Sequence, residues 1–135
     1  RINDNMAQYM VKKVVQKMLN NGIDVTKSTV GVMGITFKEN CPDVRNTKVV
    51  DVIKSLKEYN TNVVIYDPWA SEEEVMREYK LISTKVLPNE KFDAIVLTVA
   101  HDEFKYLDLD VLKHKDSIVY DVKNVLAKDK RNKAL

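Results

Sequence analysis

Apolar residues recur at intervals of three and four over residues 4–19, the spacing of one face of an amphipathic α-helix. The stripe consists of Ala7, Met10, Val11, Val14, Val15, Met18 and Leu19. Gly22 follows shortly after, and glycine readily adopts the left-handed conformation that ends helices. The pattern therefore predicts a helix whose apolar face needs another surface of the domain, or of a second subunit, to pack against.

From Thr29 onward the pattern changes to short apolar runs separated by helical segments. Strands are predicted for the run that starts at Thr29 and for residues 62–66, 94–99 and 117–122, with residues 81–87 compatible with a short edge strand. Asn46 is the predicted N-cap of a helix whose Val49, Val50, Ile53 and Leu56 face inward. The Ser71–Glu74 spacing is typical of a capping box and predicts a helix to about Lys80. Short helical turns are predicted around residues 104–112.

Strands that alternate with helices predict right-handed crossovers and a parallel sheet with helices on both faces. The predicted fold is a small doubly wound α/β sandwich, a Rossmann-like arrangement of three layers, preceded by one N-terminal helix. In such folds ligands bind beyond the carboxyl ends of the strands. This rule indicates three candidate places, namely residues 36–45, the Asp67-Pro68 turn and residues 121–124.

Composition and charge narrow the class of protein. The chain has 135 residues, of which 44% are hydrophobic and 31% charged, as expected for one soluble domain. Its 22 basic and 20 acidic residues give a net charge of +2 and are interleaved, apart from a basic tail at residues 128–133. This argues against nucleic acid as a partner. No apolar run is long enough to cross a membrane. The one cysteine excludes an internal disulfide and favours a reducing compartment, the cytoplasm.

The loop after the first strand carries the most chemical information. A conventional dinucleotide fingerprint has three glycines at fixed offsets, whereas only Gly31 and Gly34 occur here. Two cations, Lys38 and Arg45, precede the next helix, where the helix dipole favours phosphate. The loop is thus shaped for a nucleotide but lacks the usual NAD-binding turn.

Other reactive side chains have simpler interpretations. Cys41 has no histidine near it in sequence, which favours a structural thiol over a nucleophile. His101 and His114 have no cysteine partners at ligand spacing, so no metal site is predicted. His101 ends the third predicted strand and is interpreted as a loop residue. Asp67 precedes a proline and is interpreted as part of a turn.

Residues 34–47 resemble the signature that opens the C-terminal, UDP-binding domain of the UDP-glucose/GDP-mannose dehydrogenase family. Residues 64–68 resemble that domain's second strand and turn, and residues 120–124 resemble its last strand. Residues 1–4 are similar to part of the family's central helix, which carries much of the dimer interface. The resemblance spans essentially the whole chain. It implies that residues 1–22 are the C-terminal part of the dimerisation helix and that residues 23–135 are the UDP-sugar-binding domain.

The Glu-Asn-Cys-Pro-Asp variant at residues 39–43 is most similar to the UDP-N-acetylhexosamine branch, which includes the UDP-N-acetylmannosamine dehydrogenases. This resemblance implies an NAD-dependent oxidation of a sugar primary alcohol to a carboxylate, for surface or capsular polysaccharides. It also implies that the catalytic cysteine and the NAD domain lie outside the sequence, so that the fragment alone is inactive. A homodimer and contacts with the remaining domains of the enzyme are implied as well.

The resemblance assigns four site residues. Phe37 and Lys38 match the pair that contacts the UDP-sugar, and Lys123 stands where many members have a substrate-side arginine. Arg45 matches an arginine that reaches toward NAD. Each has a simpler alternative, since Phe37 could be a core residue, either lysine could be solvated and Arg45 could pair with Asp43. No residue of this chain is assigned a catalytic role.

Two other classes of protein compete with this interpretation. A signalling receiver domain has this size and sheet, but it needs an acidic pair after the first strand, where this chain has Thr36, Phe37 and Lys38. Alternatively, the chain serves only for assembly through its N-terminal helix and binds no ligand by itself.

Overall fold

The computed structural model describes residues 4–123 and residue 126 and contains a sheet of five parallel strands in the order β3-β2-β1-β4-β5. The strands are β1 (Thr29–Met33), β2 (Asn62–Tyr66), β3 (Ser83–Thr84), β4 (Phe92–Leu97) and β5 (Lys113–Asp121). The α-helices are α1 (Asp4–Asn20), α2 (Val49–Glu58) and α3 (Glu72–Tyr79). Short 3-10 segments occupy Val25–Lys27, Asp102–Tyr106 and Leu109–Val111.

The three α-helices share one hydrophobic cluster with one face of the sheet. Met18 of α1, Ile53 of α2 and Val75 of α3 are all completely buried there. The predicted stripe of α1 is therefore covered within this chain, except for Leu19, which is 56% exposed and was wrongly included in the stripe.

A second hydrophobic cluster covers the opposite face of the sheet. It is built from the two later 3-10 segments, which contribute Phe104 and Leu109, and from Leu112 and Leu126. The predicted doubly wound sandwich is confirmed, and its third layer consists of short turns within the described residues. The edge strand expected within residues 81–87 is present as β3, and β5 begins at Lys113, four residues before the predicted start.

The start of α2 differs from the sequence prediction. Asn46 is not the N-cap, because its φ of 58° places it in the left-handed region, where it turns the chain before the helix. Lys48 occupies the cap position, and the Thr47 hydroxyl accepts a 3.3 Å hydrogen bond from the Val49 N–H. At α3 the prediction is confirmed, because the Ser71 hydroxyl accepts a hydrogen bond from the Glu74 N–H.

Candidate functional site

An open cleft of about 250 Å³ lies at the carboxyl ends of β1 and β4, beside the start of α2. These two strands are adjacent at the centre of the sheet, and the chain leaves them toward opposite edges. This is the switch point at which ligands of doubly wound folds bind. The cleft is lined by Thr36, Phe37, Lys38, Glu39, Asn46, Thr47, Lys48, Val49, Thr98, Val99, Ala100 and Lys123.

The cleft brings together the three residues that the sequence predicted to contact a UDP-sugar. Phe37 is half-buried at the wall, whereas Lys38 and Lys123 are exposed. Among the described residues, neither lysine has a carboxylate within 4.0 Å. Their charges are therefore available to an anion in the cleft.

The N-terminus of α2 adds to the positive potential of the cleft. Thr47, Lys48 and Val49 all line it, so the N-terminal end of the helix lies at its wall. The helix dipole places a partial positive charge at this end and stabilises phosphate groups there. A cleft with lysines and a helix N-terminus on its walls can neutralise a diphosphate.

Gly34 permits the close contact on which the cleft depends. Its φ is 106°, and a Cβ atom at this position would lie 2.6 Å from the Cβ of Val99. Thr98 joins the same two segments, the end of β1 and the end of β4. Its hydroxyl lies 2.6 Å from the Gly34 carbonyl oxygen, and its N–H donates to the carbonyl oxygen of Met33. Only glycine allows the loop after β1 to approach the end of β4 so closely.

A buried Asp–His pair lies behind the cleft. Asp67, directly after β2, and His101, after β4, are both completely buried, and Asp67 Oδ2 lies 3.0 Å from His101 Nε2. The same oxygen accepts hydrogen bonds from the N–H groups of Ile35 and Thr36, at 2.7 and 3.2 Å. Asp67 Oδ1 accepts from the N–H of Trp69 at 2.8 Å.

These hydrogen bonds keep the buried carboxylate ionised. Burial raises the pKa of Asp67, but the hydrogen bond and attraction from His101, with the N–H groups of Ile35 and Trp69, lower it by more. The net result is a pKa of Asp67 below its ordinary value. A buried carboxylate with this many donors is a structural anchor for the segments that donate to it.

The His101 ring has a defined tautomer. The backbone N–H of Asn40 donates a 2.9 Å hydrogen bond to Nδ1, so Nδ1 must carry a lone pair and the proton lies on Nε2. Nε2–H then faces Asp67 and the Thr36 hydroxyl oxygen, at 3.0 and 3.1 Å. The Trp69 ring stacks on His101 with 6.0 Å between ring centroids.

Arg45 lies outside the cleft lining. Its side chain is 74% exposed, and its Nε donates to Asp43 Oδ1 at 3.0 Å, the pairing weighed as the alternative to a cofactor role. The hydrogen bond from Arg45 holds the pKa of Asp43 below its usual value.

The remaining candidates lie apart from the cleft. Cys41 is partly buried in the loop, and His114 lies near the amino end of β5. Over residues 4–123 and 126, no group of three or more His, Cys, Asp and Glu side chains is arranged to hold a metal ion. Among the described helices, none has the length and apolar character needed to cross a membrane.

The sequence interpretation missed the Asp67–His101 pair and Lys48. Asp67 and His101 were interpreted as turn and loop residues, whereas both are buried polar side chains that fix the loop after β1. One available signal was that Asp67 follows β2 and His101 follows β4, the two strands that flank β1. Both residues therefore lie near the carboxyl end of β1. Asp67 itself does not line the cleft, although its turn was one of the three candidate places.

The fold and cleft define a doubly wound α/β domain of the nucleotide-binding class. Residues 31–128 match the UDP binding domain of the UDP-glucose/GDP-mannose dehydrogenase family. The chain is 43% identical over 129 residues to UDP-N-acetyl-D-glucosamine 6-dehydrogenase of Salmonella typhi, covering 93% of this chain and 30% of that protein. It is 41% identical over 136 residues to Protein CapL of Staphylococcus aureus, covering 98% of this chain and 32% of CapL. The chain belongs to the UDP-glucose/GDP-mannose dehydrogenase family.

Solved structures agree with the fold. The chain superimposes on NDP-N-acetyl-D-galactosaminuronic acid dehydrogenase from Methanosarcina mazei with a TM-score of 0.81 and 24% identity, covering 94% of this chain and 27% of that one. The chain thus spans about a third of the length of the relatives that it matches. Family membership removes the receiver-domain alternative.

Proposed function

We propose that this chain is the part of an NAD-dependent UDP-sugar 6-dehydrogenase that holds the nucleotide diphosphate of the substrate. The observation that carries the proposal is the cleft itself, where Lys38, Lys123 and the N-terminus of α2 surround one space at the switch point of the sheet. Phe37 offers an aromatic surface at the wall. The substrate class is a UDP-N-acetylhexosamine used for surface or capsular polysaccharide, which the similarity to the Salmonella typhi and CapL proteins supports.

The proposal divides the enzyme's work among its domains. NAD and the catalytic cysteine belong to parts of the protein outside this sequence, so the chain alone binds substrate without turning it over. The active protein is a cytoplasmic homodimer. Because α1 already buries its apolar stripe against its own domain, a dimer contact through α1 would use its outward side, where Tyr9 is 50% exposed.

Calorimetric titration of the chain with UDP, UDP-N-acetylglucosamine and NAD tests this function. We expect the uridine nucleotides to bind and NAD not to bind. Lys38→Ala removes a charged contact and should weaken the binding of both uridine nucleotides about tenfold. Lys115→Ala is the matched control, because Lys115 is an exposed lysine at the opposite, amino end of the sheet. Equal losses in the two variants, or no binding of uridine nucleotides by the unaltered chain, would refute the proposed site.

Arg45 is proposed to contact NAD in the intact enzyme, at the junction with the missing domain. The Arg45–Asp43 pair is exposed, so the guanidinium can leave it at little cost. In the intact enzyme, Arg45→Ala should raise the KM for NAD more than that for the UDP-sugar, and Lys38→Ala should do the reverse. If both variants affect the two ligands equally, the assignment of separate roles is wrong.

A further inference from the structure

The segment that carries Phe37 and Lys38 is fixed to the rest of the domain on both sides of Lys38. Before it, the Thr36 hydroxyl lies 3.1 Å from His101 Nε2 and donates to the carbonyl oxygen of Lys38 at 3.0 Å. After it, the Asn40 N–H donates to His101 Nδ1 at 2.9 Å. One buried imidazole therefore contacts both neighbours of the Phe37-Lys38-Glu39 segment.

Asn40 adopts a left-handed backbone conformation that its hydrogen bonds stabilise. Its φ is 54°, in the left-handed region, which costs free energy for any residue with a side chain, although least for asparagine and aspartate. Its side-chain oxygen also accepts a 3.0 Å hydrogen bond from the N–H of Asp102. Asn40 thus joins the loop after β1 to residues 101–102 after β4 through two hydrogen bonds.

We propose that His101 is a positioning residue for the nucleotide site, whose Nδ1 lone pair holds Asn40 and thereby keeps Lys38 directed at the cleft. Asp67 sets the tautomer, because its carboxylate requires the ring proton on Nε2 and leaves Nδ1 as the acceptor. This role rests on the proposed function, since it acts through the contact of Lys38 with the diphosphate.

The charged groups around the His101 ring are Asp67 at 3.0 Å and Asp102, which follows in the chain and pairs with Lys105 at 3.3 Å. Glu103 accepts a hydrogen bond from the indole N–H of Trp69, and the Trp69 ring stacks on the His101 ring.

Two amide substitutions at His101 test the roles of the two ring nitrogen atoms separately. His101→Gln places a donor near the position of Nε2, which keeps the contact with Asp67 and removes the acceptor for Asn40. His101→Asn places an acceptor near the position of Nδ1 and gives up the contact with Asp67. We expect both variants to unfold at a lower temperature, but only His101→Gln to bind UDP-N-acetylglucosamine about tenfold more weakly. His114→Gln, at the exposed second histidine, should change neither quantity. Equal affinities in the two His101 variants would overturn the proposal.

Measurements on the unaltered chain keep the proposal testable if either variant fails to fold. NMR of the ring nitrogens should show His101 as the Nε2–H tautomer, and the exposed residue Asn40 should have an amide protected from hydrogen exchange.

The outcomes separate this inference from the proposed function. If UDP-N-acetylglucosamine does not bind the unaltered chain, the proposed function fails. The tautomer of His101 and the exchange rate of the Asn40 amide still decide whether the hydrogen bond between these two residues exists. If the ligand binds but His101 is the Nδ1–H tautomer, or the Asn40 amide exchanges freely, the positioning role is refuted while the binding site stands.

Discussion

Each end of the parallel sheet carries a pair formed by an aspartate and a histidine, and the two pairs differ in burial and in the distance between their side chains. At the carboxyl end, Asp67 and His101 are completely buried and lie 3.0 Å apart. At the amino end, the side chains of Asp93 and His114 are 29% and 55% exposed, and the nearest atoms lie 3.9 Å apart. Water solvates the second pair, so it contributes little to stability. The first pair is shielded from solvent, so water cannot replace its hydrogen bonds.

The comparison shows what burial adds to an ordinary pair of side chains. Asp67 and His101 connect the ends of β2 and β4 to the loop after β1, whereas Asp93 makes one 2.8 Å contact to the N–H of Thr29. The buried pair therefore organises the carboxyl end of the sheet, whereas the solvated pair adds one backbone contact at the amino end. Lys38 and Lys123 lie in the cleft at the organised end.

The largest expected difference between the two ends is in the cost of removing a carboxylate. Asp67→Asn replaces an acceptor oxygen by an NH₂ group that faces backbone donors, and it should lower the free energy of unfolding by about 3 kcal/mol. Asp93→Asn retains one acceptor oxygen at an exposed site and should cost less than about 1 kcal/mol. Urea denaturation at neutral pH measures both. Similar losses would mean that the buried pair is no stronger an anchor than the exposed one.

Asp67→Asn also tests how the free energy of unfolding depends on pH in acid. Because the pKa of Asp67 is lowered on folding, its contribution is complete above its unfolded value of about 3.9 and is lost as the pH falls through the folded value. The unfolded chain binds this proton first, so acid favours unfolding. Below about pH 4, Asp67→Asn should lose stability less steeply than the unaltered chain, and Asp93→Asn provides the control.

A second, smaller contrast concerns the two glycines with positive φ. Gly34 at the carboxyl end has a φ of 106° and lies against Val99, whereas Gly22 at the amino end has a φ of 77° and nothing within 4 Å of an added Cβ. Gly34→Ala should cost about 2–3 kcal/mol, from backbone strain and a steric clash, and should also weaken uridine nucleotide binding. Gly22→Ala should cost about 1 kcal/mol, from strain alone. Thermal unfolding and calorimetry distinguish the two, and equal costs would show that the contact with Val99 relaxes freely.

The amino-acid sequence predicts the scaffold because the scaffold depends on periodic burial. The stripe of α1, the apolar runs of β1 and β4 and the Ser71 cap are local patterns, and the structure confirms them. Phe37, Lys38 and Lys123 meet in one cleft because all three follow strands of a parallel sheet, which brings strand ends to one edge. Their common location is thus a consequence of topology.

Features that depend on tertiary pairing are not visible in these patterns. Asp67 and His101 are 34 positions apart, and each alone looks like a polar residue at a chain turn. Their burial follows from how the loop after β1 folds over them, which no periodicity records. The N-cap of α2 was wrong for a related reason, because the left-handed conformation of Asn46 follows from the path of the whole loop.

The smallest expected effect is a gain at Lys123. An arginine donates to a phosphate through two parallel N–H groups, whereas a lysine acts as a point charge. Lys123 is exposed at the cleft, so a longer guanidinium can reach the ligand without displacing buried groups. Lys123→Arg should therefore tighten UDP-N-acetylglucosamine binding about threefold, and Lys115→Arg at the amino end should leave it unchanged. Calorimetry of the two variants measures the difference. Weaker binding in Lys123→Arg alone would mean that the lysine packs against the ligand in a space that a guanidinium cannot enter. Equal tightening in both variants would show that the gain does not depend on position and that Lys123 makes no direct contact.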